Sequence, residues 1–194
     1  MYSNYKIEMN SGFKEHEAHM VKTQHYSKSL ARGCGRVYSL FVDDKLAGVA
    51  AFGVPVGRLC QSKYSKTGKK VLELKRLVLD PVCAPNTGSW FISKLMKDLK
   101  ATKLFDSVLS YADPSSPRRH TGIVYRASNF LYLGVQKYQG TKSVFYKGKR
   151  HHLRSVYNKN TIVGKILREA LASGKAKVKQ TEKKHVYIYR LETV

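Results

Sequence analysis

Asp113, His120 and Tyr125 fall in one short stretch, SYADPSSPRRHTGIVYRASN, which also holds Arg118, Arg119 and Asn129. A carboxylate, an imidazole and a phenol can accept, relay and donate a proton, so the grouping suits general acid–base work on a weak nucleophile. His25 and Tyr26 adjoin just ahead of the glycine turn ARGCG, where they could enter a cleft as ligand, base or donor. A capping or packing histidine is the equal alternative. Glu73, in the alternating run VLELKRLVLD, is a further proton acceptor. Asn86, Thr87, Gly88 and Ser89 form a polar turn leading into a helix, where backbone N–H groups and the dipole can hold an anion. That turn is neither a GxGxxG nor a Walker loop.

The elements that must position these groups are readable. SVLSYAD is a short buried strand ending on Asp113, and Pro114 to Pro117 force a loop. IVYRASN is a helical turn carrying Tyr125, and the strand FLYLG follows it. An ordinary βαβ crossover has the same pattern. Upstream, a strand over Tyr5 to Met9 precedes a polar helix from Gly12 to about Ser29. Two strands, Val37 to Val42 and Leu46 to Val54, are joined by the hairpin signal Asp43-Asp44-Lys45. Gly48 and Gly53 mark a bulge or a close backbone approach. Gly57 to Lys70 reads as a polar, basic loop. Asn86 or Thr87 caps a helix whose apolar stripe is Trp90, Phe91, Leu95, Met96 and Leu99. Thr161 to Ser173 is helical, and His185 to Leu191 alternates as a last strand. No repeat or linker divides the chain, so one domain is expected over 1–194, with about 137–194 as its basic C-terminal portion.

Charge names the class of partner. The chain carries 36 Lys and Arg against 13 Asp and Glu, a formal net charge of +23. Such an excess destabilises a compact state unless a polyanion offsets it, and nucleic acid is the expected polyanion. From Lys137 to Arg190 the cations outnumber Glu169 and Glu182 heavily, with tyrosines interleaved. Lys147, Lys149 and Arg150, with Arg118 and Arg119, are the candidate phosphate contacts, while aromatic faces could stack on bases. No apolar run approaches the roughly 20 residues of a spanning helix, which argues against a membrane. The N-terminus lacks a secretory core, and three widely spaced cysteines, Cys34, Cys60 and Cys83, make no disulfide framework. A reducing cytoplasm is the expectation.

The element order corresponds to a GNAT-like α/β arrangement, a mixed, splayed sheet flanked by helices with a basic C-terminal extension. At the residue level the chain resembles the Mom family of phage DNA-modification proteins in QHYSKS (24–29), LAGVAAFGVP (46–55), ELKRLVLD (73–80), NTGSWFISKL (86–95) and YADPSSPRRHTGIVYRASNFLYLG (111–134). The resemblance covers roughly residues 20–135. It implies an enzyme that converts adenine N6 in double-stranded DNA to N6-carbamoylmethyladenine, shielding phage DNA from host restriction. It also implies iron, with His25 and Tyr26 as the matching pair. PNTGSW replaces the glycine-rich pyrophosphate turn of ordinary acetyltransferases.

Adenine N6 is a poor nucleophile because its lone pair is delocalised, so the reaction needs a proton acceptor and a donor. Asp113, Glu73 and His120 are the candidate acceptors, Tyr125 and Tyr26 the donors, and Asn129 a reader of the adenine edge. The base must leave the stack to react. Acetyl-CoA and glycyl-tRNA are both open as donors, the second because carbamoylmethyl and glycyl groups are isomers. Two other readings compete: a GNAT-type acyltransferase acting on tRNA, protein or a small amine, and a non-enzymatic basic DNA-binding phage protein.

Overall fold

Alternation of apolar and polar residues builds a sheet with one face covered by a long helix. The computed structural model describes residues 2–57, 59–117, 119–136, 142–158 and 160–191. β1 (Tyr5–Asn10) leads to α1 (Glu15–Gln24), then β2 (Cys34–Val42) and β3 (Lys45–Gly53). α2 (Cys60–Tyr64), β4 (Lys70–Leu79), α3 (Thr87–Ala101) and β5 (Phe105–Ala112) follow. Next come α4 (Ile123–Ala127), β6 (Leu131–Val135), β7 (Lys142–Tyr146) and β8 (Lys149–His152). α5 (Leu153–Tyr157), α6 (Ile162–Ala172), β9 (Lys177–Gln180) and β10 (His185–Arg190) complete the chain. The large sheet has the order β1-β2-β3-β4-β5-β10-β6, and β8-β7-β9 make a second sheet.

The hairpin turn falls where expected: Asp43 and Asp44 both take positive φ, 48° and 59°, as a tight two-residue turn demands. Gly53 is a close approach, because a Cβ there would lie 2.0 Å from the Gly33 carbonyl oxygen. α3 buries Phe91, Ile92, Leu95, Met96 and Leu99 against Leu72, Leu74, Val108 and Ala112 of the sheet. The opposite face packs Val71, Leu109 and Ile188 beneath Cys60 and Tyr64.

Three expectations change. The first helix is shorter than Gly12 to Ser29, because the chain turns extended at His25. The basic loop from Gly57 contains the short helix α2. The basic C-terminal portion holds more structure than the expected helix and last strand. It folds as β7–β9 with α5 and α6 around Val144, Val156, Leu167, Ala170 and Ala176, and β10 then returns between β5 and β6. Thr161 caps α6 by accepting a hydrogen bond from Gly164 N at 3.1 Å.

The feature that positions a site is a break between β4 and β5. Their parallel pairing runs from Lys70/Phe105 to Leu74/Ser110 and stops, although both strands continue. On its other side β4 shifts register against β3, from Phe52/Leu74 to Ala51/Arg76, so Lys75 is an extra residue. Such a bulge bends the strand and can turn neighbouring side chains toward the same side.

Candidate active site at the splayed strands

Two sets of side chains meet the break from opposite faces. Val108 and Ala112 pack toward α3, and by alternation so does Ser110. Tyr125, on α4, is 5% exposed and packs in that same cluster, with its ring 5.6 Å from Phe130 and 5.5 Å from Tyr187. Burial lifts the Tyr125 hydroxyl to about 12, opposed by Ser110 and reinforced by Tyr26, Glu73 and Tyr187. Tyr125 is thus a held proton donor. Ser110 Oγ is buried and, although close enough to Tyr125 to influence it, has no hydrogen-bond partner of normal geometry among the described residues. Gly122 makes the entry to α4 possible: it has φ +86°, and a Cβ there would lie 2.3 Å from the Tyr187 ring.

Glu73 alternates with Leu72 and Leu74 and so shares the face of Val71. Val56 N donates to Glu73 Oε2 at 3.1 Å. Tyr111 lies on this face too, its hydroxyl 3.7 Å from Cys60 Sγ; burial first, then Cys60, pushes its pKa up. The bulge sends Lys75 Nζ to the Arg32 carbonyl and Arg76 Nε to the Ser29 carbonyl, each at 2.8 Å. These contacts lash the segment after α1 across the sheet. Burial lowers the Arg76 pKa, with Tyr26, Cys34 and Glu73 opposing that shift.

Asp113 ends β5 as expected and is 3% exposed. Both its oxygens are engaged: Oδ1 accepts from Ser115 N at 3.0 Å, and Oδ2 from Arg150 Nη1 at 3.1 Å. A carboxylate held this way is placed to orient the groups around it. Arg150 Nε also donates to Ser143 Oγ at 3.1 Å. The expected phosphate contact is therefore a strut that joins the three-stranded sheet to the end of β5. Tyr26 sits in the field of this pair: burial and then Asp113 raise its pKa, while Arg76 and Arg150 pull it down. His120 lies edge-on to Tyr125 at 5.3 Å. Burial lowers its pKa, with Asp113 opposing and His185 adding, so it is neutral near pH 7.

His25 departs from the cleft-mouth expectation. It is 8% exposed, caps the end of α1 and lies tilted against the Tyr26 ring, with centroids 4.3 Å apart. Its Nδ1 accepts from Ser27 N at 3.1 Å and faces Ser27 Oγ at 2.8 Å. Among the described residues no three His, Cys, Asp or Glu side chains are grouped to hold a metal ion. A single imidazole and a single phenol without such a group beside them do not fit iron as a donor set.

The polar turn before α3 is only partly the anion cradle expected. Asn86 takes φ 65° at the N-cap without a side-chain cap bond. Thr87 Oγ1 donates to the Ala84 carbonyl at 2.7 Å, and Ser89 Oγ to the Asn86 carbonyl at 3.0 Å. Gly88 is pressed by α4, since a Cβ would lie 3.1 Å from Val124 Cγ2. Beside this turn is a cavity of about 230 Å³ lined by Asn86, Ser89, Trp90, Ser93, Ser128 and Asn129, with Tyr2, Ala127 and Tyr189. Among the described residues no cationic side chain lines it. Asn129 belongs to this cavity and not to the Asp113 group, which corrects its expected place.

Of the other candidates, Lys147 and Lys149 are exposed at the β7–β8 hairpin. Arg119 is exposed with Glu182 at 3.9 Å, and Arg118 lies outside the described residues. Lys75, Arg76, Ser110 and Tyr111 were not singled out from the sequence. Only the bulge and the break give them a role, and neither carries a local signature beyond strand alternation.

Comparison with known proteins agrees with this geometry. A search of curated proteins found no match. An acetyltransferase from Bacillus subtilis in complex with CoA is similar at 12% identity and a TM-score of 0.54, covering 97% of this chain and 99% of that one. A GNAT family acetyltransferase from Elizabethkingia anophelis with acetyl-CoA bound gives 10% identity, a TM-score of 0.56, and coverage of 97% and 99%. The ribosomal-protein-S18-alanine N-acetyltransferase of Escherichia coli gives 10%, 0.51, and coverage of 97% and 96%. These likenesses establish the fold as that of GNAT acetyltransferases. The model of the Mom protein family matches residues 7–193, so nearly the whole chain, basic sheet included, belongs to the Mom protein family.

Proposed function

We propose that this protein is a transferase that modifies adenine N6 in double-stranded DNA, forming N6-carbamoylmethyladenine and so protecting phage DNA from restriction. The observation that carries the reading is that Glu73 and Tyr125 flank one break in the sheet from opposite faces, the Glu73 charge helping to raise the Tyr125 hydroxyl, in a member of the Mom family. The amine approaches from the Glu73 face and attacks the acyl carbon of the donor, giving an N6-acyladenine that must then rearrange so that N6 leaves the carbonyl carbon for the methylene carbon. Glu73 takes the N–H proton, and Tyr125, held protonated, donates to the leaving group. Neutral His120 and the Asp113–Arg150 pair orient the approach.

The donor is an acyl unit. The CoA complexes among proteins of the same fold favour an acyl-CoA; atom balance favours glycyl-tRNA, whose glycyl unit holds every atom of the product if it rearranges. Labelled glycine entering the base with carbon and nitrogen together supports the second. Acetate carbon alone supports the first, a route that needs both an amine nitrogen and a two-electron oxidant from outside the protein.

Mass analysis of nucleosides from DNA of expressing cells tests the reaction. A carbamoylmethylated deoxyadenosine that disappears in Tyr125→Phe supports the proposal. Unmodified DNA with acylated tRNA, protein or small amine overturns it in favour of an ordinary acyltransferase. No modification anywhere leaves a DNA-binding protein.

A further inference from the structure

Val54, Val56 and Leu59 are 72%, 75% and 73% exposed, and all three stand on the connection between β3 and α2. Single exposed hydrophobics are ordinary, but a group on one loop marks a surface that meets something apolar. The place of the loop says what it meets. It leaves the sheet at Gly53, which pairs with Glu73, and Val56 N donates to the Glu73 carboxylate at 3.1 Å. The apolar side chains therefore stand at the rim of the face from which the amine approaches. Pro55 narrows the backbone freedom of the loop, and valine is stiff at χ1. Exposed Lys63 and Lys66 follow shortly after, on a chain of net charge +23. Cations around an apolar tip suit a duplex, whose phosphates take the charge while its base stack takes the apolar group.

We propose that Val56, with Val54 and Leu59, is a wedge that enters the base stack of duplex DNA and fills the space left by the target base. This rests on the DNA reading above. Turning a base out of a duplex forfeits stacking worth a few kcal/mol. An apolar side chain in the gap recovers part of that and slows the return of the base. Because the wedge is hydrogen-bonded to Glu73, its insertion and the placing of the proton acceptor are mechanically linked.

The test compares affinity for an intact duplex with that for the same duplex carrying one abasic site, at fixed salt. The abasic gap spares the unstacking cost and is independent of target sequence. The wild-type protein is expected to favour the abasic duplex by about tenfold or more, equivalent to about 1.4 kcal/mol. A triple variant, Val54→Ser with Val56→Ser and Leu59→Ser, is expected to lose that preference while holding intact-duplex affinity within about twofold, since these exposed side chains do not carry the fold. Val56→Phe is expected to keep or raise it. Equal affinities in the wild type, or a preference that survives the triple variant, overturn the wedge and leave the loop to dock a protein. Failure to bind even the intact duplex overturns the DNA reading itself, and is told apart because no duplex is then retained.

Discussion

Glu17, Asp106 and Asp113 lie in the large-sheet region with several donors each, whereas Lys177 and Lys179 of the three-stranded sheet stand exposed with Phe145 and Ser143 opposite them. Glu17 accepts from Asn10 Nδ2 and Lys14 N, both at 2.7 Å, and also from Ser39 Oγ. Asp106 accepts from Lys66 N, Thr67 N, the Thr67 hydroxyl and Arg190. The scarce carboxylates are thus used to close loops onto the large sheet. In the small sheet Lys179 lies over the Phe145 ring at 5.6 Å, and the one ion pair from its strands among the described residues is Arg150–Asp113. One region neutralises charge to build a cleft. The other keeps cations solvated, where a polyanion can reach them.

Breaking the Arg150–Asp113 link challenges that division most severely. Arg150→Ala leaves Asp113 buried without its countercharge, and a loss of about 3–5 kcal/mol is expected in urea unfolding. If Arg150 instead gripped phosphate, stability would hold and only the salt dependence of DNA binding would flatten. Tyr125→Phe comes next: it preserves the ring packing and removes the donor, so turnover should fall roughly 10²-fold with little change in melting temperature. A matching loss of stability would reduce Tyr125 to a packing residue.

Asp106 sharpens the large-sheet side of the contrast. Burial pushes its carboxyl up, but the hydrogen bonds from Lys66, Thr67 and Arg190 outweigh it and hold the pKa below the ordinary value. A depressed folded pKa gives stability that is present above the unfolded value, about 3.9, and is lost as pH falls through the folded one. Asp106→Asn is expected to cost about 2 kcal/mol at pH 7, with the two stability curves converging below about pH 4. Parallel curves down to pH 2 would deny the ionised carboxylate this role. The smallest effects belong to the solvated cations. Each of Lys147→Ala, Lys149→Ala, Lys177→Ala and Lys179→Ala should shift stability by no more than about 0.5 kcal/mol, and each lost phosphate contact should lower the slope of log affinity against log salt by about 0.9. An unchanged slope in the quadruple variant would place DNA elsewhere.

The sequence by itself determined most strands of the large sheet, α3 and α6, and their order, because strand alternation, the Asp43-Asp44 turn, the α3 stripe and the Thr161 cap are local signals with local causes; α2, α5 and the three-stranded sheet it did not announce. It also determined that Asp113 ends a strand and that Tyr125 follows on a helical turn. Composition established the charge excess but not which cations are free, and Arg150 shows why: its partner is Asp113, a long-range pairing that no nearby residue announces. His25 is buried by the way α1 lies on the sheet, and Asn129 is carried to the α3 cavity by the turn after α4. The bulge at Lys75 and the parting of β4 from β5 arise from the register of three strands together, so Glu73, Arg76 and Ser110 acquire their places only when the sheet is assembled. The return of β10 between β5 and β6 is likewise a tertiary decision: an alternating strand can pair at any open edge, and the burial of Val186, Tyr187 and Ile188 is what selects this one.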